Sequence, residues 1–201
     1  QKEDPTNAKV GIILSTVEQR MAGIKDLEDA ARKAESANDW SAAQTAWSSL
    51  VTQNPANKTM YEQRLNNARY QKAMSDCKAS LAANNLQEAL RHAQAAQPYD
   101  PTGGQQAQAQ IQAIQNQIAA IAQAQQKAQM TQNAITQANA LAAREQFTEA
   151  SGVLAGALQN DPTNAQLNQM RIALDGAAAV QRGYSKLEGV RQDAEAALQN
   201  A

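Results

Sequence analysis

The sequence predicts an all-α protein, a solenoid of helical hairpins with about seven antiparallel helices that alternate long and short. Three observations carry this reading. A large apolar residue is followed fifteen positions later by proline three times: Trp40 and Pro55, Leu86 and Pro101, Phe147 and Pro162. Alanine stands three residues after each anchor (Ala43, Ala89, Ala150), and a short polar turn precedes it (Asn38-Asp39, Asn84-Asn85, Arg144-Glu145). The composition agrees, being 43% hydrophobic but only 3% aromatic and dominated by alanine and by glutamine, of which there are 29. Both residues form helices well, and alanine loses no side-chain entropy there. A spacing repeated in this way marks a repeat architecture, in which each hairpin leaves an apolar stripe for its neighbours to cover.

The elements follow in order. From Thr6 to Ala37, Val10, Ile13, Val17, Met21, Ile24, Leu27, Ala31 and Ala34 recur at three- and four-residue steps, the signature of one long amphipathic helix. A short helix is expected from Trp40 to Gln53. A third runs from Ala56 to Ala83 with Leu65, Ala68, Met74, Cys77 and Leu81 inward, and a short fourth from Gln87 to Gln97. Gly103-Gly104 opens a fifth that reaches Ala143. There Ile111, Ile114, Ile118 and Ile121 make a coiled-coil-like seam, and Lys127 is the one charge between Pro101 and Arg144. Forty helical residues extend ~60 Å, and so uncharged a helix is expected to be packed along much of its length. The sixth spans Thr148 to Asn160. The seventh starts at Thr163, with Gly183-Tyr184 as a candidate break. The repeat units are therefore 6–55, 56–101 and 104–162, followed by a C-terminal helix over 163–200, all within one elongated domain over 1–201.

Asp4-Pro5-Thr6-Asn7-Ala8 recurs as Asp161-Pro162-Thr163-Asn164-Ala165, and Ala197-Leu198-Gln199-Asn200 echoes Ala157-Leu158-Gln159-Asn160. Proline after a helix end, with Thr or Asn ready to cap the next helix, is stop-and-restart punctuation. The two echoes lead us to expect a segment of a longer repeat-bearing protein.

The hairpins resemble tetratricopeptide repeats. Trp40, Ala43, Trp47, Leu50 and Pro55 fill that family's second-helix slots in order, as do Phe147, Ala150, Leu154, Ala157 and Pro162, and Leu86, Ala89, Ala93, Ala96 and Pro101. Leu27, Ala30, Ala31 and Ala34 match its first helix. The anchors lie 46 and then 61 residues apart, not the family's 34, so the first helices are overlong. The resemblance implies a protein-binding scaffold whose first helices line a groove.

Chemistry is sparse. A net charge of −1 gives no basic patch able to neutralise several phosphates. The single histidine, His92, and the single cysteine, Cys77, lack the further ligand or nucleophile that a metal or catalytic site needs. Gly103-Gly104 lacks the Lys and Ser/Thr of a phosphate loop. Asn57-Lys58-Thr59 is a glycosylation pattern that matters only in a eukaryotic secretory setting. No cofactor, metal or nucleic acid is expected, and no run of eighteen apolar residues spans a membrane.

The expected function is a non-catalytic scaffold for protein–protein interaction and assembly, whose partner is another protein or a neighbouring domain. Candidate partner-binding residues are Ile111, Ile114, Ile118 and Ile121 on the seam and the charged Glu28, Arg32 and Glu35, which the family resemblance places along the groove. The seam is expected to be covered by the first or seventh helix or by another protein. The Gln/Asn/Ala-rich, cysteine-poor composition suggests a bacterial periplasmic or envelope setting, such as the repeat region of a pilus or secretion-system secretin or an associated protein, with the cytoplasm as the other placement. The competing readings are a self-associating coiled-coil rod and a regulatory segment of an enzyme whose catalytic domain lies elsewhere.

Overall fold

The structure, a computed structural model, describes residues 5–199, with side chains from residue 9 onward. Seven α-helices follow one another: α1 (Pro5–Ser36), α2 (Trp40–Gln53), α3 (Lys58–Ala82), α4 (Leu86–Ala96), α5 (Gln105–Ala142), α6 (Phe147–Asn160) and α7 (Ala165–Gln199). Long and short alternate, and no strand occurs among the described residues. Gly183 and Tyr184 lie inside an unbroken α7, so the candidate break is absent.

The three polar turns share one backbone solution. Asn38, Asn84 and Glu145 take the left-handed conformation, with φ of 56°, 56° and 60°. The next amide in each turn reaches back five residues: Asp39 to the Ala34 carbonyl (2.9 Å), Asn85 to Ser80 (2.8 Å) and Gln146 to Leu141 (3.0 Å). This is a Schellman closure, which satisfies the last carbonyls of the long helix. The same residue then starts the short helix. Asp39 and Asn85 accept the amides of Ala42 and Glu88 with their side chains, whereas Gln146 makes no such cap. The third copy thus uses Glu where Asn sits more easily, and a side chain too long to cap.

Each short helix lies between the long helices on either side of it in sequence. Ala43, Trp47 and Leu50 of α2 meet Ala31 of α1 and Tyr61, Leu65 and Ala68 of α3. On α4, Ala89 and Ala93 meet Cys77 of α3 and Ile111 and Ile114 of α5, while Ala96 packs with Tyr70 and Ala107. On α6, Ala150 and Leu154 meet Ala134, Ile135 and Ala138 of α5 and Leu167 of α7. Those α5–α6–α7 contacts belong to a second compact unit, which begins at Ala119; the first ends at Ile118, so the boundary falls inside α5.

Packing is carried by the positions three, seven and ten residues after the helix start in α2 and α4, one face of a 3.6-residue helix. The anchors themselves are less buried than their size suggests. Trp40, Leu86 and Phe147 are half-buried, because each is the first residue of its helix and borders the turn. The expectation that α5 is packed along much of its length is also corrected for its middle. Residues 119–130 are all exposed, and alanine and glutamine hold that stretch helical by propensity.

Aspartate 100 fixes how α5 begins. Its side chain accepts the amides of Thr102 and Ala107, both at 2.8 Å, and the Thr102 hydroxyl at 2.6 Å. Burial pushes this carboxyl up, but the hydrogen bonds outweigh it and hold it below the usual carboxylate range. Its contribution is present at neutral pH and is lost as pH falls through that lowered value. Gly103 and Gly104, with φ of 71° and 91°, supply the left-handed turn between Pro101 and the helix.

Two stability outcomes follow. Trp47→Ala is expected to lower the stability of the first unit by ~3 kcal/mol or more in chemical denaturation, as large-to-small core changes do; a wild-type midpoint would show the repeat register to be wrong. Glu145→Gly relieves a left-handed glutamate and is expected to raise stability by ~1 kcal/mol, measured on the transition that reports α6.

Candidate interaction surfaces

The charged candidates on α1 turn inward. The Trp47 indole N–H donates to Glu35 Oε1 at 2.9 Å, and the Tyr61 hydroxyl donates to Glu28 Oε1 at 2.5 Å. The two rings stack with centroids 5.9 Å apart, and Asn54 Nδ2 donates to the Tyr61 oxygen at 3.1 Å. Glu35 also pairs with Arg64 at 3.4 Å. Glu28 and Glu35 therefore tie α1 to α2 and α3 and satisfy the polar atoms of two buried aromatics. Arg32, with its side chain 64% exposed and 3.9 Å from Glu28, is the member of this set that faces solvent. The sequence held no signal for this clamp, because Glu28 and Tyr61 are 33 residues apart.

The isoleucine seam divides. Ile111 and Ile114 are 5% and 1% exposed, packed with Cys77, Ala89 and Ala93. Ile118 is half-buried beside them, and Ile121 is 41% exposed. The cover for the seam comes from α3 and α4, and not from the first or seventh helix as expected. Alanines on α4 let the isoleucines approach its backbone closely. Cys77 is 1% exposed, and burial raises its thiol pKa. His92 is half-buried, 3.7 Å from Glu88. Among the described residues no group of three or more His, Cys, Asp or Glu is placed to hold a metal ion, and no helix is long and apolar enough to cross a membrane.

Three apolar surfaces stand out among the described residues. In the second unit, α5 and α6 flank a groove of about 500 Å³ with Met130, Ala134, Val153, Gly156 and Ala157 along it. Lys127 closes one end on Asp161 at 2.9 Å and, with Asn164, holds that carboxyl below the usual range. The other two are helix faces. Val10, Ile13, Leu14, Val17 and Met21 on α1 are between 46% and 65% exposed. Val180, Tyr184, Leu187, Val190 and Leu198 on α7 are between 59% and 79% exposed. The α1 periodicity expected from the sequence is real; what the sequence could not say is that, among the described residues, nothing in the first unit covers the stripe before Ile24.

No protein-family model, curated protein or solved structure matches the chain.

Replacing Ile114 and Ile118 together with aspartate is expected to unfold the first unit, seen as loss of its helical signal and cooperative transition, since two charges would enter an apolar cluster without partners. A folded double variant would mean that α3 and α4 do not depend on the seam.

Proposed function

We propose that the chain is a non-catalytic scaffold that binds protein partners through helix faces. The observation that supports this best is the pair of apolar stripes, Val10 to Met21 on α1 and Val180 to Leu198 on α7. A helix segment of this length is marginal in water by propensity alone and gains most of its stability from covering such a face. Contiguous exposed apolar surface on a folded protein marks an interaction site. The resemblance to tetratricopeptide repeats points the same way, with overlong first helices supplying the extra surface. The groove beside Val153 and Gly156 gives a further place for a partner segment.

The composition supports a bacterial envelope setting, as the periplasmic repeat region of a pilus or secretion-system secretin or an associated protein. Compartment is read directly by fusing the protein to a reporter enzyme that is active only outside the cytoplasm.

The scaffold reading is tested by purifying the full chain, tagged, from its source cells beside an Ile13→Asp, Val190→Asp double variant. The wild type is expected in an assembly of defined stoichiometry and the variant alone. A wild type that emerges alone and monomeric overturns the reading.

A further inference from the structure

The α6–α7 interface has two unfilled counterparts in this chain. The repeat of Asp161-Pro162-Thr163-Asn164-Ala165 as Asp4-Pro5-Thr6-Asn7-Ala8 aligns α7 with α1. In that register Leu167, Met170, Leu174 and Ala178 become Val10, Ile13, Val17 and Met21. Leu167 is fully buried against α6, with Met170 and Leu174 packed beside it, whereas all four counterparts on α1 are exposed. The stripe runs on into Ile24 and Leu27, which the first unit covers. So α1 carries the face to which an α6-type helix binds.

The other half is on the tail of α7. The repeat of Ala157-Leu158-Gln159-Asn160 as Ala197-Leu198-Gln199-Asn200 aligns α6 with that tail. Phe147 becomes Leu187, and Ala150, Leu154, Ala157 and Leu158 become Val190, Ala194, Ala197 and Leu198. Of these α6 residues, Ala150, Leu154, Ala157 and Leu158 pack in the second unit and Phe147 is half-buried, while the tail residues are exposed. Asp193 stands where Val153 lines the groove beside α5, a neighbour that the tail lacks.

The polar contact carries over as well. Within the chain the Ser151 hydroxyl donates to Asp175 Oδ1 across the α6–α7 interface. The two alignments convert Ser151 to Arg191 and Asp175 to Glu18. A neutral hydrogen-bond donor facing a carboxylate becomes a guanidinium facing a carboxylate, so the exchanged pair is charge-complementary. Arg191 now lies on the surface beside Glu188 and Glu195, from which it can be shared.

We propose that the α7 tail of one copy docks on the N-terminal half of α1 of a second copy and reproduces between chains the α6–α7 packing found within each. This rests on the scaffold reading and names its partner as the chain itself. The contact joins two different faces, so it is heterologous, and each copy keeps one face free for the next; growth ends only if a ring closes.

Mass measurement by sedimentation equilibrium on the full chain tests it, with Val17→Asp and Leu187→Asp as single variants. Both positions are exposed, so circular dichroism is expected to match the wild type. The wild-type mass should rise with concentration, and each variant alone should stay monomeric. An equal mixture of the two variants should form a dimer and nothing larger, because one good α1 face meets one good α7 tail. Glu18→Arg should weaken association several-fold, and adding Arg191→Glu in the same chain should restore it. A wild type that stays monomeric overturns self-docking, yet leaves the scaffold reading standing if source cells yield a complex with another protein. A mixture that stays monomeric while the wild type associates, or a single variant that still dimerises, overturns this pairing of faces.

Discussion

The fold depends on a chain reversal only three or four residues long. With Asn38, Asn84 and Glu145 each in the left-handed conformation, the long helix ends and the short helix begins almost at once, in one fixed register. That register sets which face of the short helix meets the long one. It places Ala43, Ala89 and Ala150 at the crossing, where all three are fully buried and any larger side chain would push the helices apart. The long helices then extend past their short partners by whatever length the sequence supplies.

Large side chains are used sparingly and their polar atoms are accounted for. Trp47 and Tyr61 supply the bulk of the first cluster, and two glutamates from α1 accept their donors. No buried side-chain nitrogen or oxygen among the described residues lacks a partner. In the α4 region the same space is filled by alanine against isoleucine and cysteine, which needs no polar compensation. The two solutions differ in chemistry and share a geometry.

Features written in neighbouring residues were legible in the sequence. The short helices expected from Trp40, Gln87 and Thr148 start within one residue of those positions, at Trp40, Leu86 and Phe147, because the capping turn and the closing proline are local signals for where a helix starts and stops. The burial of Ile111 and Ile114 was expected, but its source was not, since alanines on a short helix give no sign of which long helix they will admit. Glu28 and Glu35 stand in the sequence as candidates for a partner groove, because their acceptor role arises only when α2 and α3 come alongside. The exposed middle of α5 was hidden by its alanine, which suits a buried interface and a bare helix equally well.

Charge is distributed unevenly among the long helices, and ionic strength will not act on them alike. α7 carries partners three and four residues apart, Arg191 with Glu188 and Glu195, and α1 carries one such pair, exposed Arg32 with half-buried Glu28; mobile ions weaken contacts of this kind at the surface. Along α5 the one charged side chain, Lys127, points to Asp161 outside the helix, so the helix itself has no internal ladder to screen. Added salt also favours covering apolar surface when the ion is a strongly hydrated one such as sulfate. High sulfate therefore loosens the surface pairs of α1 and α7 and strengthens the drive to bury the apolar stripes on those same two helices, while α5, with no ladder of its own, feels chiefly the second effect, through Ile121 and Met130.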